Sequence, residues 1–437
     1  MTTQTTRRGF LAAIGAGLLR AAPERKPNVI FLLGDDMGID LFSCYGSDQY
    51  KTPNIDALAA GGVKFDYCHS TPLCGPSRCL LMTGRYGFRT GGVTNESWRH
   101  GVGAQSKNEI PIAKVMKSAG YATCSAGKWR QVGEKPSDWG FDEYITDQTA
   151  SGWYWERIFE KNGKPLEFEK EEYGPDVEHD FAIDFMRRNR EKPFFLYYPT
   201  HLVHSPTVRT PDTKGEGKDL FADNVTYIDK LIGKVVAEVD RLGLRENTVL
   251  VFSGDNGTLK GKMSTIGGRL MTGGKGTMLE GGARVPLIVN WKGQTPKGRV
   301  VHDLVDFSDF LPSFAEFGRA KLPSGIKIDG RSFAPQSLGQ KGQPREWAYV
   351  QLGPDFYAKD HNWKLNQSGE LFDMKKAPFE EKLVAAEGAP PEAVQARARL
   401  QKVLDELNPL GGIRDDQNTP EHAARRAEKK TKKAQKQ

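Results

Sequence analysis

Short strand-like runs recur along this 437-residue chain, the first of them continuously apolar, and most lead into a glycine, an acid or a histidine. Val29-Ile30-Phe31-Leu32-Leu33 gives way to Gly34-Asp35-Asp36. Thr248-Val249-Leu250-Val251-Phe252 gives way to Ser253-Gly254-Asp255-Asn256-Gly257. Pro193 to Tyr198 leads to His201 and His204, and Tyr121 to Ala126 leads to Gly127-Lys128-Trp129. Val285 to Trp291 is a further run. A run without polar alternation is apolar on both faces, so it reads as a strand covered on both sides. Between these runs, Thr52-Pro53 starts a helix with threonine as cap and proline first, and Asn224 to Leu242 has helical periodicity. The alternation predicts an α/β domain, a large mixed, mostly parallel sheet flanked by helices. Ligands in such sheets gather at the carboxyl ends of the strands, where Asp35, Asp36, Lys128, His204, Asp255 and Asn256 fall.

Past about Arg345 the pattern changes. Tyr349–Leu352, Trp363–Leu365 and Glu370–Phe372 read as short antiparallel strands, and Pro391–Leu407 as a helix. The chain therefore divides into an N-terminal signal over 1–22, a large α/β domain over 23–345, an α+β subdomain over 346–413 and a basic tail over 414–437. The net charge of +7 is carried by the two ends. From Arg425 to Gln437 seven Lys/Arg stand against Glu428, and Arg7, Arg8 and Arg20 precede Ala22, so the body between is slightly acidic. This argues against a nucleic-acid-binding surface. No internal window is apolar enough for an integral membrane span. Arg7-Arg8 before the short run Phe10 to Leu19 reads as a twin-arginine export signal, which implies the Tat machinery and a periplasmic or secreted protein. Five cysteines match neither a zinc site nor a dense disulfide framework, which leaves room for one disulfide whose pairing the spacing does not give.

Four segments carry chemistry. Cys74-Gly75-Pro76-Ser77-Arg78 reads as a helix start with Pro76 at the first position. A cysteine there faces the positive end of a helix beside an arginine, which favours a thiolate or a bound oxyanion. Asp35, Asp36, Asp255 and Asn256 supply hard oxygen donors suited to Ca²⁺, or to Mg²⁺. Gly273-Gly274-Lys275-Gly276 presents a lysine on a glycine-rich loop without the spacing of a nucleotide-phosphate loop.

Cys74-x-Pro-Ser-Arg78 followed by Thr83-Gly84-Arg85 resembles the signature of the type I sulfatases, of arylsulfatase type in the alkaline phosphatase-like superfamily. The Gly369-Glu370-Leu371-Phe372-Asp373 turn resembles that family's small C-terminal subdomain. The resemblance implies that Cys74 is oxidised to formylglycine (3-oxoalanine) by a formylglycine-generating enzyme. It implies that Asp35, Asp36, Asp255, Asn256 and residue 74 hold Ca²⁺, and that Arg78 keeps the carboxylates and residue 74 in place. Lys128, His204 and Lys275 become sulfate ligands, with His204 or Lys275 protonating the leaving oxygen and Asp255 accepting a proton from the attacking hydroxyl. Two residues after the signature lysine the family has histidine, whereas this chain has Arg130. Arginine binds sulfate but does not act as a base near neutral pH. The implied reaction is hydrolysis of a sulfate monoester on a sulfated carbohydrate. Trp98, Arg99, His100, Trp153, Tyr154 and Trp155 are candidates to line a sugar cleft. The alternatives are a phosphonate or phosphate monoester hydrolase on the same fold, and a non-catalytic carbohydrate-binding relative.

Overall fold

A computed structural model describes residues 25–129, 132–147, 152–155, 159–166 and 172–416. The export signal, Arg130 and the tail beyond residue 416 lie outside the described residues.

The large sheet contains β1 (Asn28–Gly34), β2 (Val63–His69), β3 (Ala122–Ala126), β4 (Glu143–Asp147), β5 (Phe159–Lys161), β6 (Lys164–Pro165), β7 (Phe194–Pro199) and β8 (Thr248–Gly254). A separate hairpin follows, β9 (Met263–Ile266) and β10 (Arg269–Thr272). The large sheet then gains β11 (Arg284–Asn290) and β12 (Arg299–Asp306), giving the order β12-β2-β11-β8-β1-β7-β3-β4-β5-β6. Its centre is parallel, with β1 between β8 and β7, while β11 runs antiparallel to both β2 and β8. The predicted α/β class and mostly parallel sheet are what the structure shows.

Apolar side chains leave the central strands on both faces. From β1, Val29, Phe31 and Leu33 enter one core while Ile30 and Leu32 enter the other. β8 divides the same way, with Val249 and Val251 against Leu250 and Phe252. The first core is closed by Phe310 and Phe314 of the helix Phe310–Phe317. The second is closed by the helices Gly174–Arg188 and Leu220–Arg241. Their apolar stripes follow the 3.6-residue period.

The small antiparallel sheet runs β13 (Ala348–Leu352), β14 (Asp355–Lys359), β15 (Trp363–Asn366), β16 (Leu371–Asp373) and β17 (Lys382–Val384). The helix Pro391–Leu407 packs on it through Ala393, Ala396, Leu400 and Leu404. Two local expectations are corrected. Thr52 precedes the helix Pro53–Ala60 but makes no side-chain cap; its hydroxyl donates to Asp56 Oδ1 at 3.3 Å instead. Pro76 is the third residue of the helix Cys74–Thr83, not the first. Its missing N–H removes no intrahelical bond there, because all the N–H groups of the first turn lack intrahelical partners. All five cysteines are free thiols. No described helix is long and apolar enough to cross a membrane.

Candidate active site

Parallel register builds the acidic centre. Gly34 lies opposite Gly254, so Asp35-Asp36 and Asp255-Asn256 leave adjacent strands side by side. The Asp36 N–H donates to Asp255 Oδ1 at 3.0 Å, and Asn256 Nδ2 donates to Asp36 Oδ1 at 2.9 Å. Asp36 has φ +60°, in the left-handed region that aspartate tolerates better than bulky residues. Gly257 lets the Lys275 loop close on this turn, since a Cβ there would lie 1.8 Å from the Gly281 carbonyl oxygen.

Cys74 enters at the amino end of its helix. Its Sγ lies 3.3 Å from Asp35 Oδ1, 3.8 Å from Asp36 Oδ1 and 3.5 Å from Lys128 Nζ. Asn95 Oδ1 accepts the neighbouring Gly75 N–H at 2.7 Å. Burial first, then Asp255 and Asp35, push the thiol well above its ordinary range despite Lys128 and Lys275. The thiolate expected from the helix end is therefore not favoured, because burial first, and then full carboxylate charges, outweigh the partial charge of a helix terminus.

Cations answer the carboxylates one for one. Lys128 pairs with Asp35, and Lys275 Nζ lies 2.5 Å from Asp36 Oδ1. Arg78, fully buried, gives Nε and Nη2 to Asp255 Oδ2 at 3.0 and 2.7 Å and Nη1 to the Lys128 carbonyl at 3.0 Å. Burial raises Asp35, but Lys128, His204 and Arg78 together bring it below the usual carboxylate range. Burial lowers both lysines, and the carboxylates around them restore and raise them, so both remain ammonium ions.

His204 Nδ1 lies 2.6 Å from the Ser205 carbonyl oxygen, which only accepts, so Nδ1 carries the hydrogen. Nε2 is the titrating atom and lies 3.9 Å from Asp36 Oδ2. Burial and Lys128 hold this imidazole below its ordinary range.

Asp35, Asp36, Cys74 and His204 bring ligand atoms within 4.8 Å of one another. Asn256 Oδ1 is buried with no hydrogen-bond partner among the described residues. An orphaned amide oxygen beside converging carboxylates is a donor set for a hard divalent cation. The residues present therefore fit the metal that the sequence pointed to.

Sequence reasoning undervalued His201. It is fully buried, with Nδ1 2.7 Å from Glu178 Oε1 and Nε2 3.5 Å from Asp147 Oδ1. Burial lowers it, but the two acids outweigh burial and raise it to about 9. Trp153 stacks on His201 at 5.0 Å and meets His204 edge-on at 4.8 Å, while Lys128 Nζ lies 5.3 Å from the Trp153 ring. A signal existed: Glu178 falls on the core stripe of its helix with Phe181, Ala182 and Phe185. Trp153 and Tyr154 are both 3% exposed, so they wall the site and do not offer an open sugar-stacking face. The Tyr154 hydroxyl donates to the carbonyl oxygens of His201 and His204 at 3.0 and 2.6 Å.

Residues 27–318, the whole span from β1 to the helix that closes the first core, match the protein-family model described as Sulfatase. The chain belongs to the sulfatase family. Arylsulfatase A of Homo sapiens is 33% identical over 92% of this chain and 91% of its own length. N-acetylgalactosamine-6-sulfatase of Canis lupus familiaris is 32% identical over 83% of this chain and 77% of its own. The crystal structure of Ps i-CgsB in complex with k-i-k-neocarrahexaose superposes with a TM-score of 0.73 at 25% identity, covering 90% of this chain and 94% of that one. This sulfatase is a sulfuric ester hydrolase.

Proposed function

We propose that this sulfatase hydrolyses sulfate monoesters on a sulfated carbohydrate, using a formylglycine made from Cys74 and a bound Ca²⁺. The observation that carries this reading is the Cys74 side chain, buried among two aspartates and two lysines at a helix amino end. A thiol whose ionisation is suppressed is a poor nucleophile as it stands, which favours its use after conversion. The carbohydrate substrate is supported by the relatives, one of which is an N-acetylgalactosamine-6-sulfatase and another of which was crystallised with neocarrahexaose.

Asp35, Asp36, Asp255 and Asn256 would hold the cation. Together with a hydrated aldehyde at position 74 it would supply the nucleophile and charge stabilisation at the sulfuryl oxygens. The side chains do the rest. Lys128 and Lys275 are fixed donors for sulfuryl oxygens, the electrostatic arrangement that usually dominates such catalysis. Arg78 holds Asp255 and the Lys128 backbone in one fork. Asp255 is the proposed proton acceptor for the attacking hydroxyl. A sulfate ester seated on the lysines brings negative charge against His204 Nε2, which favours its protonation and lets it deliver a proton to the leaving oxygen. Arg130 is proposed as a further sulfate ligand.

We further propose that a formylglycine-generating enzyme acts before export by the twin-arginine route, placing the mature protein in the periplasm or outside the cell. Peptide mass spectrometry across position 74 tests the central claim: a loss of roughly 18 Da marks conversion of the thiol to the aldehyde nucleophile. An unconverted thiol in protein co-expressed with a formylglycine-generating enzyme overturns it. The replacement of the family histidine by Arg130 keeps phosphonate and phosphate monoesters as the second reading. A parallel panel of sulfate, phosphonate and phosphate esters separates the two by which turns over fastest.

A further inference from the structure

A cleft of about 330 Å³ lies where the small sheet docks on the large one. Its walls come from four strands or the turns after them: Tyr67 of β2, Arg284 of β11, His302 of β12, and Lys359 of β14 followed by His361. Lys375, after β16, stands at the mouth with its side chain 55% exposed.

The lining is rich in donors. Its single carboxylate among the described residues, Glu280, is taken up by Lys359, whose Nζ lies 2.8 and 2.7 Å from the two oxygens. Arg284 stacks on Tyr67 at 4.5 Å and donates Nε to the Asp66 carbonyl at 3.0 Å. Its nearest terminal nitrogen forms an ion pair with Glu280 Oε1 at 3.9 Å, too long for a hydrogen bond, so the fork keeps donors for an added oxyanion. His361 meets the edge of Tyr67 at 4.7 Å, and His302 and Lys375 are tied to outer acids, Asp66 and Asp373. Arg284, Lys375 and the two imidazoles thus face a common space that holds no unpaired acid among the described residues. A planar fork beside an ammonium on a flexible stem is the arrangement that recognises a tetrahedral oxyanion.

The cleft also shares its framework with the active site. Arg284 lies opposite His69 at the carboxyl end of β2, on the segment that runs on to Cys74. Glu280 follows Lys275 in one loop, which the small subdomain holds through Lys364 on the Met278 carbonyl at 3.1 Å. We propose that this cleft is a second oxyanion site, which takes a neighbouring sulfate of a multiply sulfated carbohydrate while another sulfate occupies the Cys74 site. The substrate-linked part of this proposal rests on the sulfatase reading above. The shared chemistry, a tetrahedral oxyanion, also admits free sulfate or phosphate.

The test uses the full, matured chain. Inorganic sulfate is titrated while the imidazole signals of His361 are followed by NMR, assigned with His361→Gln. The expected result is a saturable shift whose apparent affinity weakens at least about fivefold in Lys375→Glu, an exposed position whose change leaves the fold intact. In kinetics, Lys375→Glu and, independently, His302→Glu raise KM for a multiply sulfated oligosaccharide by a similar factor. Both leave kcat/KM for 4-nitrophenyl sulfate within about twofold. No saturable shift at His361 overturns the site. A shift with sulfate but an unchanged oligosaccharide KM assigns the cleft to a free anion and overturns the substrate-linked part. A matured enzyme that turns over neither ester overturns the sulfatase reading alone, because the His361 titration needs no turnover.

Discussion

Two clusters of buried charge sit at carboxyl ends of strands in the same sheet, and only one is a candidate active site. At the end of β12, Asp306, Asp309 and Arg345 are buried, as are Asp35, Asp36 and Arg78. Arg345 gives Nε to Asp309 Oδ2 at 2.6 Å, Nη2 to Asp309 Oδ1 at 2.5 Å and Nη1 to the Tyr86 hydroxyl at 3.2 Å. Asp306 accepts from Tyr86 at 2.8 Å and from the Ser308 N–H at 3.0 Å, closing a capping box with Asp309. Every buried polar side-chain atom of these residues has a partner. At the end of β1 and β8 the same residue types leave Asn256 Oδ1 orphaned and hold a cysteine among the carboxylates. Burial of charge alone therefore does not mark a site. Incomplete satisfaction beside a reactive group does.

The sharpest way to break this contrast is to exchange the losses. Cys74→Ala is expected to lower sulfate-ester turnover by at least about 10³-fold while leaving thermal stability unchanged. An active Cys74→Ala enzyme would end the comparison. Arg345→Met is expected to cost about 3–5 kcal/mol in denaturant unfolding, since it strands two buried carboxylates. Enough folded protein at low temperature should retain the parent KM for a small aryl sulfate.

His201 sharpens the contrast through pH. Its pKa is raised to about 9 from 6.5, so the stability it contributes is complete below pH 6.5 and lost as pH rises through 9. The shift corresponds to about 3 kcal/mol. The stability difference between the parent and His201→Gln should therefore shrink by about that amount between pH 6 and pH 10, measured by urea unfolding. A constant difference would show that His201 is not held as an imidazolium. The smallest effect concerns the cation. Ca²⁺ at about a hundred times its Kd should stabilise the parent by about 2.7 kcal/mol. The same increment should appear in Arg345→Met and disappear in Asp36→Asn, as read by the melting temperature with and without chelator.

Much of the site was legible because its residues follow buried strands, and a strand's polar end is visible as the place where an apolar run stops. Asp35, Asp255 and Lys128 were found this way. Glu178 and Asp147 were not, because their meaning depends on His201 lying between them, and the three come from separate elements. Trp153 and Tyr154 looked like sugar platforms because aromatic residues announce packing and stacking in the same way. Only their burial against the histidine loop tells the two apart.

Periodicity and punctuation in the chain were enough to determine the α/β class, the change to a small antiparallel subdomain and the list of residues able to meet at the strand ends. These are local properties, set by side-chain polarity over a few neighbouring residues. The tertiary structure decided which ammonium ion faces which carboxylate, that the Cys74 thiol is suppressed, and that a second donor-rich cleft opens beside the Lys275 loop. Such outcomes depend on burial and on distances between residues far apart in sequence. Electrostatic interaction in a low-dielectric interior varies steeply with both.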